Sequence, residues 1–339
     1  MKRAGKLLIG VFAVIFLSSY QAGAKKRVVL TTLEGGETGR IYFDSTSPYA
    51  LKNILDGSDN DTRVTIFGDL KLPKGDEGKV PAMVYMHSAG GWHFADQYYL
   101  QELNKMGVAT FRPDSVRPRG DVQSAGTHMF GTGAMMAADA FSALRLLSTH
   151  PRIDPKRIGI MGRGRGGTVS VLTAWEPLRK ASVEGDLRFA LHISIAPVCV
   201  MFKALHMTSA PIRILIGEAD SWTPAKHCVE LTETLKSAGY DAEIILYAGA
   251  HHSFDTMNAV RRSDKYYSLT RCRFEVQPDG TTIEKTSGLP LDNIRNKDRA
   301  ITICGTCGVR YGYNGAAKKK AVKDMKEIVT RVFELKPAS

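Results

Sequence analysis

Between Arg157 and Val169 the chain reads Arg-Ile-Gly-Ile-Met-Gly-Arg-Gly-Arg-Gly-Gly-Thr-Val. An apolar run leads into glycines at 162, 164, 166 and 167, and these lead into a helical pattern. Few backbones can follow that order, because a strand must turn more tightly than side chains permit and start a helix at once. Two templates share it. One is Gly-x-Gly-x-x-Gly through Gly162, Gly164 and Gly167, the cradle of a dinucleotide pyrophosphate. The other is Gly-x-Ser-x-Gly, a turn that presents a nucleophile, here with Gly164 in the serine's place.

The ends of the chain bound the problem. Lys2, Arg3 and Lys6 precede an apolar run of 11 residues (7–17), and Ala22-Gly23-Ala24 follows. This is the layout of a secretory signal peptide, and the run is well short of the roughly 20 residues that span a bilayer. Residues 1–24 are expected to be a signal peptide and 25–339 a single exported domain, periplasmic or secreted, with no membrane span after cleavage. Removing 24 of the 339 residues leaves 315, and removing three cations takes the net charge from +12 to +9. The cations are scattered, with Lys318, Lys319 and Lys320 the only dense run, so a nucleic-acid partner is not expected. An oxidising compartment favours structural disulfides among Cys199, Cys228, Cys272, Cys304 and Cys307, one of them left over. The Cys304-x-x-Cys307 spacing also suits a metal or redox pair, and the connectivity stays open.

Periodicity organises the rest. Strands are expected over 27–32, 40–44, 62–72, 80–86, 108–112, 157–162, 189–196, 212–217 and 242–247. Helices are expected over 98–106, 129–149, from the glycines to about 181, over 225–238 and near the C-terminus, while 266–296 lacks strong periodicity. Apolar strands alternating with helices predict an α/β fold, a mostly parallel central sheet with helices on both faces.

Ligands of such sheets sit beyond the carboxyl ends of the strands. The residues there are His87-Ser88-Ala89-Gly90-Gly91, Asp114-Ser115, the glycine turn, Asp220 and His252. Turn, acid and histidine, each closing a strand, follow the α/β-hydrolase order, with 56 residues from Gly164 to Asp220 and 32 from there to His252. The strand after the glycines ends in Ala196-Pro197-Val198, with no acid for a ribose hydroxyl, which leaves a dinucleotide-binding oxidoreductase as the remote alternative.

These segments resemble the dienelactone hydrolase family, especially its exported branch. Besides the strand-end residues, the resemblance rests on Arg119-Gly120, Asp154-Pro155, Gly217-Glu218-Ala219-Asp220, Tyr247-x-Gly249-Ala250-x-His252-x-Phe254 and the tail from Cys304 to Ala316. It implies an α/β-hydrolase fold, with Asp220 orienting His252 as the base. It also implies an oxyanion hole from backbone N–H groups of Ser88, Ala89, Gly90 and Arg165. The match fails at Gly164, which has no side chain to attack a carbonyl. Removing the serine of such a triad costs about 10⁶ in kcat, roughly 8 kcal/mol of transition-state stabilisation. Two readings follow: a hydrolase with unconventional catalysis on an ester or lactone, or a catalytically silent protein binding such a small molecule. His251, His252 and Asp220 could also hold a metal, but no other ligand cluster accompanies them, so no metal or cofactor is expected. Arg119 and Arg163 are candidate anion-binding residues, with Arg117 and Arg165 on the same sheet edge.

Overall fold

The computed structural model describes residues 28–75, 78–120 and 132–335. The segment expected to be a signal peptide and the stretch 121–131 lie outside them. An eight-stranded sheet runs in the order β1 (Gly39–Thr46), β2 (Arg63–Lys71), β4 (Ala109–Asp114), β3 (Val80–Met86), β5 (Ile153–Arg163), β6 (His192–Ile195), β8 (Ile212–Gly217) and β9 (Ala242–Tyr247). β2 is antiparallel to both its neighbours, and every other pairing is parallel. β3, β6 and β8 are buried along their whole length, as a sheet covered on both faces requires. The covering helices are α1 (Leu51–Leu55), α2 (Phe94–Lys105), α3 (Gly133–Ser148), α4 (Arg165–Leu172), α5 (Glu176–Ser182), α6 (Ala225–Ser237) and α8 (Gly315–Val332). The chain has the α/β-hydrolase fold.

Three segments differ from the sequence reading. Residues 28–32 form only one bridge, Val29 to Tyr42, instead of a strand. The helix after the glycines stops at Leu172 and a new one starts at Glu176, because Pro177 fits only a first turn. The aperiodic stretch after β9 is a cap. Its strands β10 (Arg261–Ser268) and β14 (Thr306–Tyr311) pair antiparallel. Between them, β11 (Phe274–Val276), β12 (Thr282–Glu284) and β13 (Leu289–Pro290) join β7 (Met201–Phe202) in a small second sheet, and α7 (Ile294–Cys304) follows. These pieces are too short to carry a legible period.

Two disulfides brace the chain. Cys199–Cys228 ties the loop after β6 to α6, and Cys272–Cys304 ties the start of β11 to the end of α7. Cys307 is free and exposed, so the Cys304-x-x-Cys307 spacing forms neither a redox pair nor a metal site here.

His192 lies fully buried in β6, as expected of a core histidine. Its Nδ1–H donates to the Ser170 carbonyl at 2.8 Å, and Nε2 has no hydrogen-bond partner among the described residues. Burial pushes its pKa down to about 4 from an ordinary 6.5, against a small opposing effect of the Ser170 bond. Below pH 6.5 the unfolded chain takes up a proton that the folded one refuses until about pH 4. Stability is therefore lost as pH falls through that window, by up to about 3 kcal/mol. Thermal denaturation between pH 4 and 6.5 should show a shallower pH dependence in His192→Leu than in the parent chain; equal slopes would refute the assignment.

Candidate active site

The turn after β5 is built by missing side chains. A Cβ on Gly166 would lie 2.1 Å from the Met86 carbonyl oxygen, one on Gly162 2.4 Å from the Gly166 carbonyl carbon, and one on Gly167 2.8 Å from the Ile195 carbonyl oxygen. These three glycines let α4 start in backbone contact with the ends of β3 and β6. Gly164 is different. It stands at φ 53°, ψ −114°, a conformation that costs an ordinary residue about 1–3 kcal/mol. It has room, however: the nearest neighbour of a Cβ there would be the Ser88 Cβ, at an unstrained 3.6 Å. The Gly164 N–H donates to the Ile195 carbonyl at 2.8 Å, and its own carbonyl accepts from Thr168 N at 3.0 Å. The geometry is that of an elbow that would hold out a nucleophile, at a residue with nothing to hold out.

A similar close approach assembles the acid and the base. A Cβ on Gly217 would sit 2.2 Å from the Ala250 carbonyl oxygen. Without it, the loop after β9 crosses the end of β8, and Ala219 N donates to that same carbonyl at 3.0 Å. His252 Nδ1 donates to Asp220 Oδ2 at 2.8 Å. Asp220 Oδ1 accepts the backbone N–H groups of Trp222 and Thr223, each at 2.9 Å. Asp220 is thus an oriented carboxylate, and α6 is not capped by it, since its N-cap is Pro224. His251 Nδ1 donates to the Ala219 carbonyl at 3.0 Å, so of the two histidines it is His252 that pairs with Asp220. Among the described residues no group of three His, Cys, Asp or Glu could hold a metal.

Several residues of this site were not legible in the sequence. The Thr223 hydroxyl lies 2.9 Å from Asp220 Oδ2 and 3.0 Å from His252 Nδ1. Its place three residues after the acid is the signal that could have found it, since short polar side chains bond back in such turns. Trp222 packs on His252 with ring centroids 4.9 Å apart and stacks on Tyr266 of the cap at 4.5 Å. The cap is bonded to both catalytic loops, through Ser268 Oγ to the Ser221 carbonyl and Gly312 N to the His252 carbonyl.

The loop expected to stabilise an oxyanion is fixed by His87. This fully buried ring donates from Nδ1 to the Ser88 carbonyl at 2.7 Å and accepts from Ser115 N at Nε2, 3.1 Å away. Burial lowers its pKa, keeping it in the neutral form this pattern needs. Gly91 N also donates to the Ser88 carbonyl, at 3.0 Å, closing a tight turn that contains Ala89 and Gly90 and sets Ser88 beside Gly164.

The anion clamp expected of Arg119 and Arg163 does not form. Arg163 is buried and bonded to both oxygens of Asp255 at 2.6 and 2.8 Å and to Asp96 at 3.1 Å. Arg119 is bonded to Asp139 at 2.9 and 3.0 Å and to the Ser115 and Thr46 carbonyls and the Ser47 hydroxyl. Both are internal cross-links: Arg119 spends all five of its N–H donors inside the protein, and Arg163 is buried between two carboxylates. Arg165, which opens α4, is placed differently. Burial lowers its pKa to about 10, opposed by Tyr49. Lys297 of α7 falls to about 8, first by burial and then by the Arg165 charge, with Asp298 opposing. The Tyr49 hydroxyl is buried with no hydrogen-bond partner among the described residues; burial and then Asp298 push its pKa up to about 12, against Arg165. Arg165 follows Gly164 directly, and Lys297 and Tyr49, from two other segments, each feel its charge.

Fold, elbow and acid–base pair together define an α/β-hydrolase site. The dienelactone hydrolase family model matches residues 67–271, and the chain belongs to that family. A Bradyrhizobium protein named as a 2-oxo-3-(5-oxofuran-2-ylidene)propanoate lactonase is 26% identical over 185 residues, 52% of this chain and 74% of that one. A Yersinia pestis protein bearing the name carboxymethylenebutenolidase is 31% identical over 143 residues, 41% of this chain and 51% of its own. Esterase 2 of Thermogutta terrifontis shares the fold at a TM-score of 0.52 and 16% identity, covering 81% of this chain and 92% of the esterase.

The glycines of the turn should respond unequally to added atoms. Gly166→Ala drives a Cβ into backbone and should cost more than about 4 kcal/mol or prevent folding. Gly164→Ser meets only backbone strain and should cost about 1–3 kcal/mol. Denaturant unfolding of the two variants checks this, and similar losses would contradict the elbow geometry.

Proposed function

We propose that the chain takes a small ester or lactone carrying a carboxylate, at the carboxyl edge of the sheet beside Gly164. Family membership supports the ester or lactone class. The carboxylate rests on one observation, the convergence of Arg165, Lys297 and the unpartnered Tyr49 hydroxyl next to the elbow. A carboxylate offers an acceptor to the Tyr49 hydroxyl and an opposite charge to Arg165 and Lys297. The names of the two relatives, one a propanoate lactonase, agree with that ligand class. In this reading Asp220 holds His252 in the tautomer whose Nε2 accepts a proton. Backbone N–H groups at Arg165 and over Ser88, Ala89 and Gly90 receive the oxyanion. No acyl group can form at position 164. That absence favours a second reading, silent binding of the same ligand, which a chromogenic ester assay separates from the first. The leader-like N-terminus and the two disulfides support action in a periplasmic or secreted setting.

Lys297 carries its proton only below about pH 8. Titration with a carboxylate-bearing lactone should therefore give a Kd that rises several-fold from pH 7 to pH 9, and Lys297→Met should flatten the dependence. Equal affinity for the neutral methyl ester of the same lactone would sink the carboxylate reading.

A further inference from the structure

We propose that Ser88 supplies the nucleophilic hydroxyl that position 164 lacks, an assignment that rests on the ester or lactone reading above. The Ser88 Cβ is the one described atom within 4 Å of where a Cβ on Gly164 would lie, chain neighbours aside, and the separation is 3.6 Å. A hydroxyl on Ser88 and one borne at 164 would therefore project from neighbouring Cβ positions. The main chain of Ser88 is held firmly, its carbonyl bonded by the His87 ring at 2.7 Å and by Gly91 N at 3.0 Å. Its hydroxyl is held loosely. The single bond it makes among the described residues, to the Gly91 carbonyl, is 3.4 Å long, well beyond the usual 2.7–2.8 Å for a hydroxyl donor. Rotation about one side-chain bond can redirect it at little cost.

Two neighbouring hydroxyls are committed elsewhere. Thr168 Oγ accepts from Val198 N at 2.9 Å and donates to the Gly164 carbonyl at 3.3 Å. Thr223 Oγ is bonded to Asp220 and to the Ala196 carbonyl. Ser115 is wholly buried, out of reach of a ligand. Ser88 is half-buried, at the edge where the ligand would lie.

The chemistry balances with water as the sole co-reactant. Ser88 Oγ forms a bond to the ester carbonyl carbon while its proton passes to His252 Nε2. The tetrahedral oxyanion faces the N–H of Arg165 and those of the Ser88 turn. The carbon–alkoxy bond then breaks, and the leaving oxygen takes the proton from His252. Water adds to the acyl–Ser88 ester, giving its proton to His252, and the carbon–Oγ bond breaks as that proton returns to Ser88. The products are an acid and an alcohol, joined in one molecule when the substrate is a lactone.

The test is labelling by a fluorophosphonate probe, with the modified residue located by mass spectrometry, alongside hydrolysis of a p-nitrophenyl ester. The parent chain should label slowly at Ser88. Ser88→Ala, which removes one oxygen and should keep its Tm, should abolish the label and slow hydrolysis at least about 100-fold. Gly164→Ser should label at the new side chain, faster than the parent. A parent chain that stays unlabelled while Gly164→Ser labels would overturn the Ser88 assignment and leave the ester reading standing. Failure of both to label and to hydrolyse would overturn the two together, and unchanged hydrolysis in Ser88→Ala would overturn the assignment alone.

Discussion

Backbone-to-backbone contact at the ends of the central strands is the constraint on which the site depends. Gly162, Gly166 and Gly167 let α4 begin directly against β3 and β6, and Gly217 lets the loop after β9 cross the end of β8. A single methyl at Gly166 or Gly217 would have to pass within about 2 Å of a carbonyl oxygen, far inside van der Waals contact. These contacts fix where residue 164 stands and where His252 meets Asp220, before any side chain contributes. The elbow has kept its geometry independently of what residue 164 carries, because the glycines that force the turn are not the one that would bear the nucleophile.

That separation explains what could be read in advance. Strand-end residues are legible because an apolar run followed by polar residues marks both the strand and its edge, so Gly164, Asp220 and His252 were found by position in a pattern. β3 and β9 carry the same bounds in sequence and structure for the same reason. The cap was not legible. Its strands are two to eight residues long, and β10 with β14 and β11 with β7 pair across long stretches of chain, so no local period announces them. Tyr266 reaches Trp222 only through that long-range pairing.

Charge was the other point of failure, and it was a failure of degeneracy. Arg119, Arg163 and Arg165 look alike in a sequence, on loops at one sheet edge. Their fates are decided by carboxylates distant in the chain: Asp139 for the first, Asp96 and Asp255 for the second. A desolvated guanidinium is tolerated when carboxylates meet it, and both of these are met from inside the protein. Burial lowers the pKa of Arg165 to about 10.

The Cys272–Cys304 bond has a meaning beyond bracing the cap. Cys304 closes α7, the helix that carries Lys297 toward the elbow, and Arg271 bonds the Cys304 and Gly305 carbonyls across the same junction. The placement of one of the two site cations thus hangs on a covalent link that only an oxidant can make. Under the proposed function, oxidation and ligand recognition are joined in this chain, since the newly made thiol form lacks the bond that ties down the end of the helix bearing Lys297.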